Sequence, residues 1–185
     1  MLTRDEAVRV VRQHVKNDAL VKHMIAVGAI MRGLAKKFGE DPTLWEAVGI
    51  LHDVDYEKFG DDFSKHGAIS AEIVQGMLPE DGLHAIRAHN PLTGSNPESR
   101  VDMALYSADA LSGLVIAMGL MMPDKKLASV KVSSLVKRMK DKSFARNVSR
   151  DNIERCSEIG LPLDEFMLIG LASMIEDASE IGFNG

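Results

Sequence analysis

Six side chains with imidazole or carboxylate chemistry sit in apolar surroundings along this sequence: His23, His52, Asp53, His66, His89 and Asp109. His52 and Asp53 are adjacent at the end of the strongly apolar run AVGILHD. Burying an imidazole and a carboxylate there costs solvation free energy unless something compensates. A metal ion compensates both, because neutral imidazole and carboxylate are good ligands for Fe, Mn, Zn or Mg-type centres. His23 sits mid-helix among apolar neighbours (ALVKHMIAVG), His66 opens a helix (KHGAISAEIV) and His89 closes one (HAIRAHN). Asp109 lies in ALYSADALSGLV, where a buried carboxylate flanked by alanines needs a partner, and a cation is the strongest available. Each position also has a bland reading. Taken alone, His23 is a satisfied core histidine, Asp109 a buried cap or salt-bridge partner, and His66 and His89 are helix-end residues favoured by the dipole. The weight lies in the ordered set, since a single His-Asp dipeptide occurs by chance in many chains.

That order (His, His-Asp, His, His, Asp on separate helices) resembles the HD superfamily of metal-dependent phosphohydrolases. The matching pieces are KHMIAVGAIM, GILHDVDY, KHGAISAEIV, AIRAHN and YSADALSG, and they run from about Leu20 to Val115. With two histidines between the His-Asp pair and the last Asp, the pattern is similar to the two-metal branch. The resemblance implies His23, His52, Asp53 and Asp109 on one ion, and Asp53, His66 and His89 on the other. Asp53 would bridge the two, and His52 and Asp53 would carry the catalytic role. The implied chemistry is hydrolysis: two cations about 3.5–4 Å apart acidify a bridging water, whose hydroxide attacks phosphorus in line. The metals absorb the charge that develops in the transition state. One or two divalent ions per chain are expected, drawn from Fe, Mn, Zn, Ni, Co or Mg.

Subfamily marks are missing. The position three residues after Asp53, a lysine in one branch, is Tyr56, with Lys58 two further on. The adjacent Glu-Asp pair of guanosine tetraphosphate hydrolases has no counterpart, because Asp55 and Glu57 are separated by Tyr56. The glycines that mark the cyclic-dinucleotide branch are also absent. The expected substrate is therefore a phosphoester or phosphoanhydride of a nucleotide or related small phosphorylated metabolite. Three alternatives compete: a mononuclear HD nucleotidase, a di-iron HD-type oxygenase, and a non-catalytic metal- or nucleotide-binding regulatory module.

The elements that must position these residues are helical throughout, with no strand alternation. Thr3 and Glu6 form a capping-box pattern that opens a helix running to about Val15. Asp18 is expected to cap a second helix that Gly39 stops, and Pro42 suits the first turn of a third. Ser64 is expected to cap a short fourth helix that carries His66 and ends near Pro79, followed by a fifth from about Asp81 to His89. The turn-forming NPLTGSNP leads into a long helix from about Ser99 to Met121. Beyond Pro123 come a basic stretch from Lys125 to Arg150, a short helix from Asp151 to Ile159, and a last helix opened by Pro162 and Asp164 and reaching about Ile181. The fold class is all-α, a single HD-type helical bundle over 1–185 with a metal-binding core at about 18–120 and a C-terminal helical extension at about 121–185.

A chain of 185 residues is long enough to bury a core without staples. Aromatics make up only 5% against 11 Met, so an aliphatic, adaptable core is expected. The formal net charge of −5 argues against a protein that coats long nucleic acid but allows a local basic pocket. The only cysteine, Cys156, reads as a small buried hydrophobe of a reducing compartment. No signal peptide is evident, and the apolar segments are broken short of the ~20 residues that span a bilayer, so a cytoplasmic protein away from membranes is expected. The basic stretch supplies Lys131, Arg138 and Arg146 as phosphate contacts, with Asn90 beside His89 as a further substrate contact. The run MGLMMP reads as core or as a dimer face, compatible with a homodimer. His14 and His84 match no position of the pattern and are expected at surface or interhelical sites.

Overall fold

A computed structural model describes residues 2–184. Its ten α-helices are α1 (Arg4–His14), α2 (Asp18–Phe38), α3 (Pro42–Leu51), α4 (Ala68–Ile73), α5 (Glu80–Ala88), α6 (Arg100–Met121), α7 (Val132–Met139), α8 (Arg150–Glu154), α9 (Leu163–Glu176) and α10 (Ala178–Ile181). No strand occurs among the described residues, so the all-α expectation holds.

Local chemistry sets the helix ends. Thr3 and Glu6 complete a reciprocal capping box on α1, and Ser99 and Asp102 complete another on α6. Asp41 accepts from the amides of Thr43 and Leu44, with Pro42 in the first turn of α3. Gly39 closes α2 in the left-handed region, at φ 72°. Several boundaries differ from expectation. Helix α4 ends at Ile73 rather than near Pro79, and the stretch expected as one helix from Asp151 to Ile159 is α8 followed by a 3-10 turn over Arg155–Ile159. Asn17, not Asp18, caps α2, because its side chain reaches the Ala19 amide at 2.9 Å. Ser64 falls inside a 3-10 turn (Phe63–Lys65) capped by Asp62, so His66 stands in a loop ahead of α4 rather than on a helix. The last helix breaks at Asp177, whose carboxylate is taken by Arg4 (2.9 Å) and Arg32 (3.0 Å), and α10 follows separately.

The core is one continuous apolar cluster, from Ala7 on α1 to Phe183 after α10, and Met24, Met31, Leu111, Leu114 and Phe166 are fully buried in it. Helix α2 is the spine, packing against α3, α6 and α9. Its approach to α3 is close because two glycines face each other. A Cβ on Gly49 would lie 2.8 Å from the Gly28 Cα, nearer than real side-chain atoms come. That contact brings the end of α3, where His52 and Asp53 follow, up against the stretch of α2 that carries His23.

Helix α6 departs from the sequence reading in one respect. At 22 residues it is long and apolar enough by length and composition to cross a bilayer. It packs instead against α2, α5, α8 and α9, with 56% of its most apolar window buried. Its high hydropathy is that of a core helix surrounded on most sides.

Candidate metal centre

Five elements deliver the six residues singled out in the sequence. His23 comes from α2, His52 and Asp53 from the end of α3, His66 from the loop before α4, His89 from the end of α5, and Asp109 from the middle of α6. The structure brings all six together. Asp53 is the hub: its Oδ1 lies 3.2 Å from His52 Nε2, 3.3 Å from His66 Nε2 and 3.3 Å from His89 Nε2, while Oδ2 lies 3.7 Å from His23 Nε2. Asp109 Oδ1 lies 3.1 Å from His23 Nε2 and 3.9 Å from His52 Nε2.

The far side of each ring decides what its Nε2 can do. His52 Nδ1 donates to the Gly49 carbonyl at 2.8 Å, and His89 Nδ1 donates to the Ile86 carbonyl at 2.5 Å. His66 Nδ1 donates to the Asp55 carboxylate at 2.8 Å. His23 Nδ1 donates to Ser112 Oγ at 3.0 Å, whose own hydrogen goes to the Asp109 carbonyl. Carbonyls and carboxylates only accept, so these partners fix the proton on Nδ1 and aim each Nε2 lone pair inward. His66 Nε2 and His89 Nε2 then stand 3.1 Å apart as two acceptors, a repulsive arrangement unless a cation or a proton lies between them. His52 Nε2 and Asp53 Oδ1 are both buried without a hydrogen-bond donor. Orphaned acceptors of this kind fit a divalent ion, and the imidazole-plus-carboxylate donor set suits a transition metal or Mg. Two overlapping trios have donor atoms within 4.8 Å of one another: His23, His52 and Asp109, and His52, Asp53 and His89.

In the metal-free site the electrostatics draw positive charge to the cluster. Burial opposes the charge on Asp53, but His52, His66 and His89 outweigh it and hold the carboxyl well below its usual range. Burial likewise opposes charge on His66, yet the carboxylates of Asp53 and Asp55 raise it to about 9 without a metal. Asp109 is lowered, with the cost of burial outweighed by its hydrogen bond to His23. The pocket is thus built around ionised carboxylates and calls for positive charge.

Asp55, which in the sequence signals only the absence of an adjacent Glu-Asp pair, is fully buried. It accepts from His66 Nδ1, from the Gly67 amide at 2.8 Å and from the Ser70 amide at 3.0 Å. It therefore orients His66 and ties that loop to α4. Gly67 lets the loop sit against α5: at φ +85° a Cβ there would lie 2.8 Å from the Ile86 carbonyl oxygen and 3.1 Å from the His89 ring. The expected substrate contact Asn90 lies at the same junction. Both its amide hydrogens go to backbone, to the Phe63 carbonyl (2.8 Å) and the His66 carbonyl (3.0 Å), so it braces the His66 loop.

Two clefts reach the centre and meet at Asp109, whose side chain is 36% exposed. One, of about 310 Å³, passes His66, His89, Asn90, Phe63, Leu92 and Tyr106. The other, of about 280 Å³, passes His23, Gly113, Asn147 and Ser149. Asn152 on α8 lines both. Arg146 stands in an adjoining cleft. Lys131 and Arg138 line neither: Lys131 directly precedes α7, and Arg138 pairs with Asp141 at 2.5 Å and stacks on Phe144. Of the remaining histidines, His84 ties α5 to buried Asp102 of α6 at 2.9 Å, and His14 contacts Lys58. Asn147 and Asn152 carry no motif of their own; only the fold delivers them to the clefts.

An all-helical shell around a mixed His and Asp cluster, with one Asp central to every histidine, defines a class of helical metal-centre protein. The HD domain family model matches residues 20–114, just over half of the 185 residues, and the chain belongs to that family, within a superfamily of metal-dependent phosphohydrolases. No curated protein and no solved structure matches the chain.

Proposed function

We propose that the protein hydrolyses a phosphoester or phosphoanhydride of a nucleotide or related small phosphorylated metabolite, using two divalent ions. His23, His52, Asp53 and Asp109 would hold one ion, and Asp53, His66 and His89 the other. Bound there, the ions would supply an acidified water and neutralise charge on the phosphoryl oxygens. The chain's own residues set the geometry. Gly49, Ile86, Asp55 and Ser112 keep four imidazoles in the ligating tautomer. Asp53 stays ionised and turns one oxygen toward His52, His66 and His89 and the other toward His23. Asp109, at the junction of both clefts, would face a substrate entering from either. The carrying observation is the buried, donorless pair of His52 Nε2 and Asp53 Oδ1 among inward-facing imidazoles.

The test is a panel of nucleotides and small phosphoesters offered to protein reloaded with Mn, Fe, Zn, Ni, Co or Mg, with phosphate release and oxygen uptake followed together. Phosphate release that requires a divalent ion and vanishes in Asp53→Ala is the expected result. Oxygen uptake without phosphate release would replace this reading with an oxygenase. Metal binding with neither reaction would replace it with a regulatory module.

A further inference from the structure

We infer that the segment from Lys142 to Asn152, which lies outside the family-matched residues, is the substrate-recognition wall of the metal cleft. In this role Asn152 hydrogen-bonds the group seated beside Asp109, and Lys142 with Arg146 binds a second anionic group of the same substrate. The inference rests on the phosphohydrolase reading and names the class of substrate: a small phosphorylated molecule bearing a further phosphate or carboxylate.

Asn152 and Asp109 are the two residues common to both clefts at the centre. The Asn152 backbone amide is held by Ser149 Oγ at 3.2 Å, and no hydrogen bond engages its side chain among the described residues. It is the opposite of Asn90, whose amide is committed to backbone. A half-buried carboxamide facing open volume both donates and accepts, which suits a phosphoryl or hydroxyl oxygen beside the reacting centre.

Val148 and Ser149 continue from the His23 cleft into a third cleft of about 210 Å³, which also carries Lys142 and Arg146. Neither cation makes a salt bridge among the described residues, whereas Arg138 of the same basic run is paired with Asp141. Asp151 also lines this third cleft, so Lys142, Arg146 and Arg150 face one carboxylate and the local charge stays positive. An anion held there lies along one continuous path from the metal end.

The wall is built, not loose. Arg150 is buried, and its guanidinium donates to the carbonyls of Ala145 (2.7 Å), Val148 (2.8 Å), Asp141 (3.3 Å) and Phe144. Within the loop so gathered, Ala145 is held at φ 44°, a left-handed conformation that a non-glycine residue adopts only under constraint. One buried cation thus shapes the backbone that presents Arg146, Asn147 and Asn152, while its neighbours keep their own charge free.

The test uses two matched pairs that differ in reach: fructose 6-phosphate against fructose 1,6-bisphosphate, and glycerol 3-phosphate against 3-phosphoglycerate. Binding to the metal-loaded full chain is measured by calorimetry, with turnover blocked by low temperature and brief exposure, and kcat and KM are taken for any member hydrolysed. In at least one pair the doubly anionic member should bind about tenfold tighter or better. In Lys142→Ala/Arg146→Ala that ratio should fall to about one with metal content and melting temperature retained. Asn152→Ala should weaken both members of the pair about tenfold, again with metal retained. A preference that survives the double variant, no preference in either pair, or unchanged binding in Asn152→Ala overturns the recognition wall and leaves the hydrolase reading standing. Failure of every phosphoester to bind the metal-loaded wild type overturns both.

Discussion

The centre and the wall that faces it are built on opposite principles. The six residues that could hold metal come from residues 23–109, inside the family-matched region, and five of them are locked from behind: the four imidazoles by carbonyls, a carboxylate or a hydroxyl, and Asp53 by burial among the rings, while Asp109 faces the clefts. The opposing wall, residues 142–152, takes its shape from a single buried arginine and leaves Lys142, Arg146 and Asn152 with no side-chain hydrogen bond or salt bridge among the described residues. Metal ligands must be fixed within fractions of an ångström, so they invest in a rigid surround. Groups that meet a variable ligand gain from a firm backbone with free tips. On the proposed reading, the difference separates the metal centre, which lies in the family-matched residues, from the segment that would select the substrate.

Substitutions can break that separation. The largest effect is expected at Asp55, which is not itself a proposed ligand yet holds His66. Asp55→Ala should weaken binding of one ion about ten- to hundredfold, by loss of His66 orientation. It should also lower stability by about 1–3 kcal/mol, since three donors lose their acceptor. Metal titration and denaturant unfolding read the two effects separately. Unchanged metal affinity would mean that Asp55 serves only the loop.

A smaller effect of the opposite kind is expected from Arg150→Met. Four carbonyls lose their donor, so stability should fall by about 1–3 kcal/mol. KM for the best substrate should rise while metal stoichiometry stays the same. Loss of metal in this variant would show that wall and centre are one unit, and the contrast drawn above would fail.

These two residues also mark where the sequence stopped being legible. Helix starts were readable because capping is local: Thr3 with Glu6 and Pro42 after Asp41 act within a turn of themselves. The six His and Asp positions stood out because polar groups in apolar runs need an explanation wherever they fall. Asp55 did not, since its meaning depends on the Gly67 and Ser70 amides turning back to it, a tertiary fact. Arg150 looked like one more charge in a basic run, although it is buried, and Lys131 and Arg138 looked equivalent to Arg146 although neither lines these clefts. Asn152 had no motif at all. Charge runs report composition, and only packing sorts their members into clamp, surface and site.

The smallest expected effect concerns Cys156, which is buried in the C-terminal half of the core. Burial pushes its thiol up to about 11, so at pH 8 it is almost entirely protonated and shielded. Alkylation by iodoacetamide should be negligible in the native protein and complete after unfolding. Rapid native labelling would indicate that the helices behind the wall open locally, and that the wall is less firm than its arginine clamp implies.

The most direct test of the central claim is a metal count on purified, reloaded protein, made on the wild type and on His66→Ala and His89→Ala, with anomalous scattering to locate the ions. If Asp53 joins two ions, the wild type should carry two per chain near His52. Each histidine variant should lose the ion beside His66 and His89 and keep the one beside His23 and Asp109. Two ions in both variants, or none near His52 in the wild type after supplementation, would contradict the account.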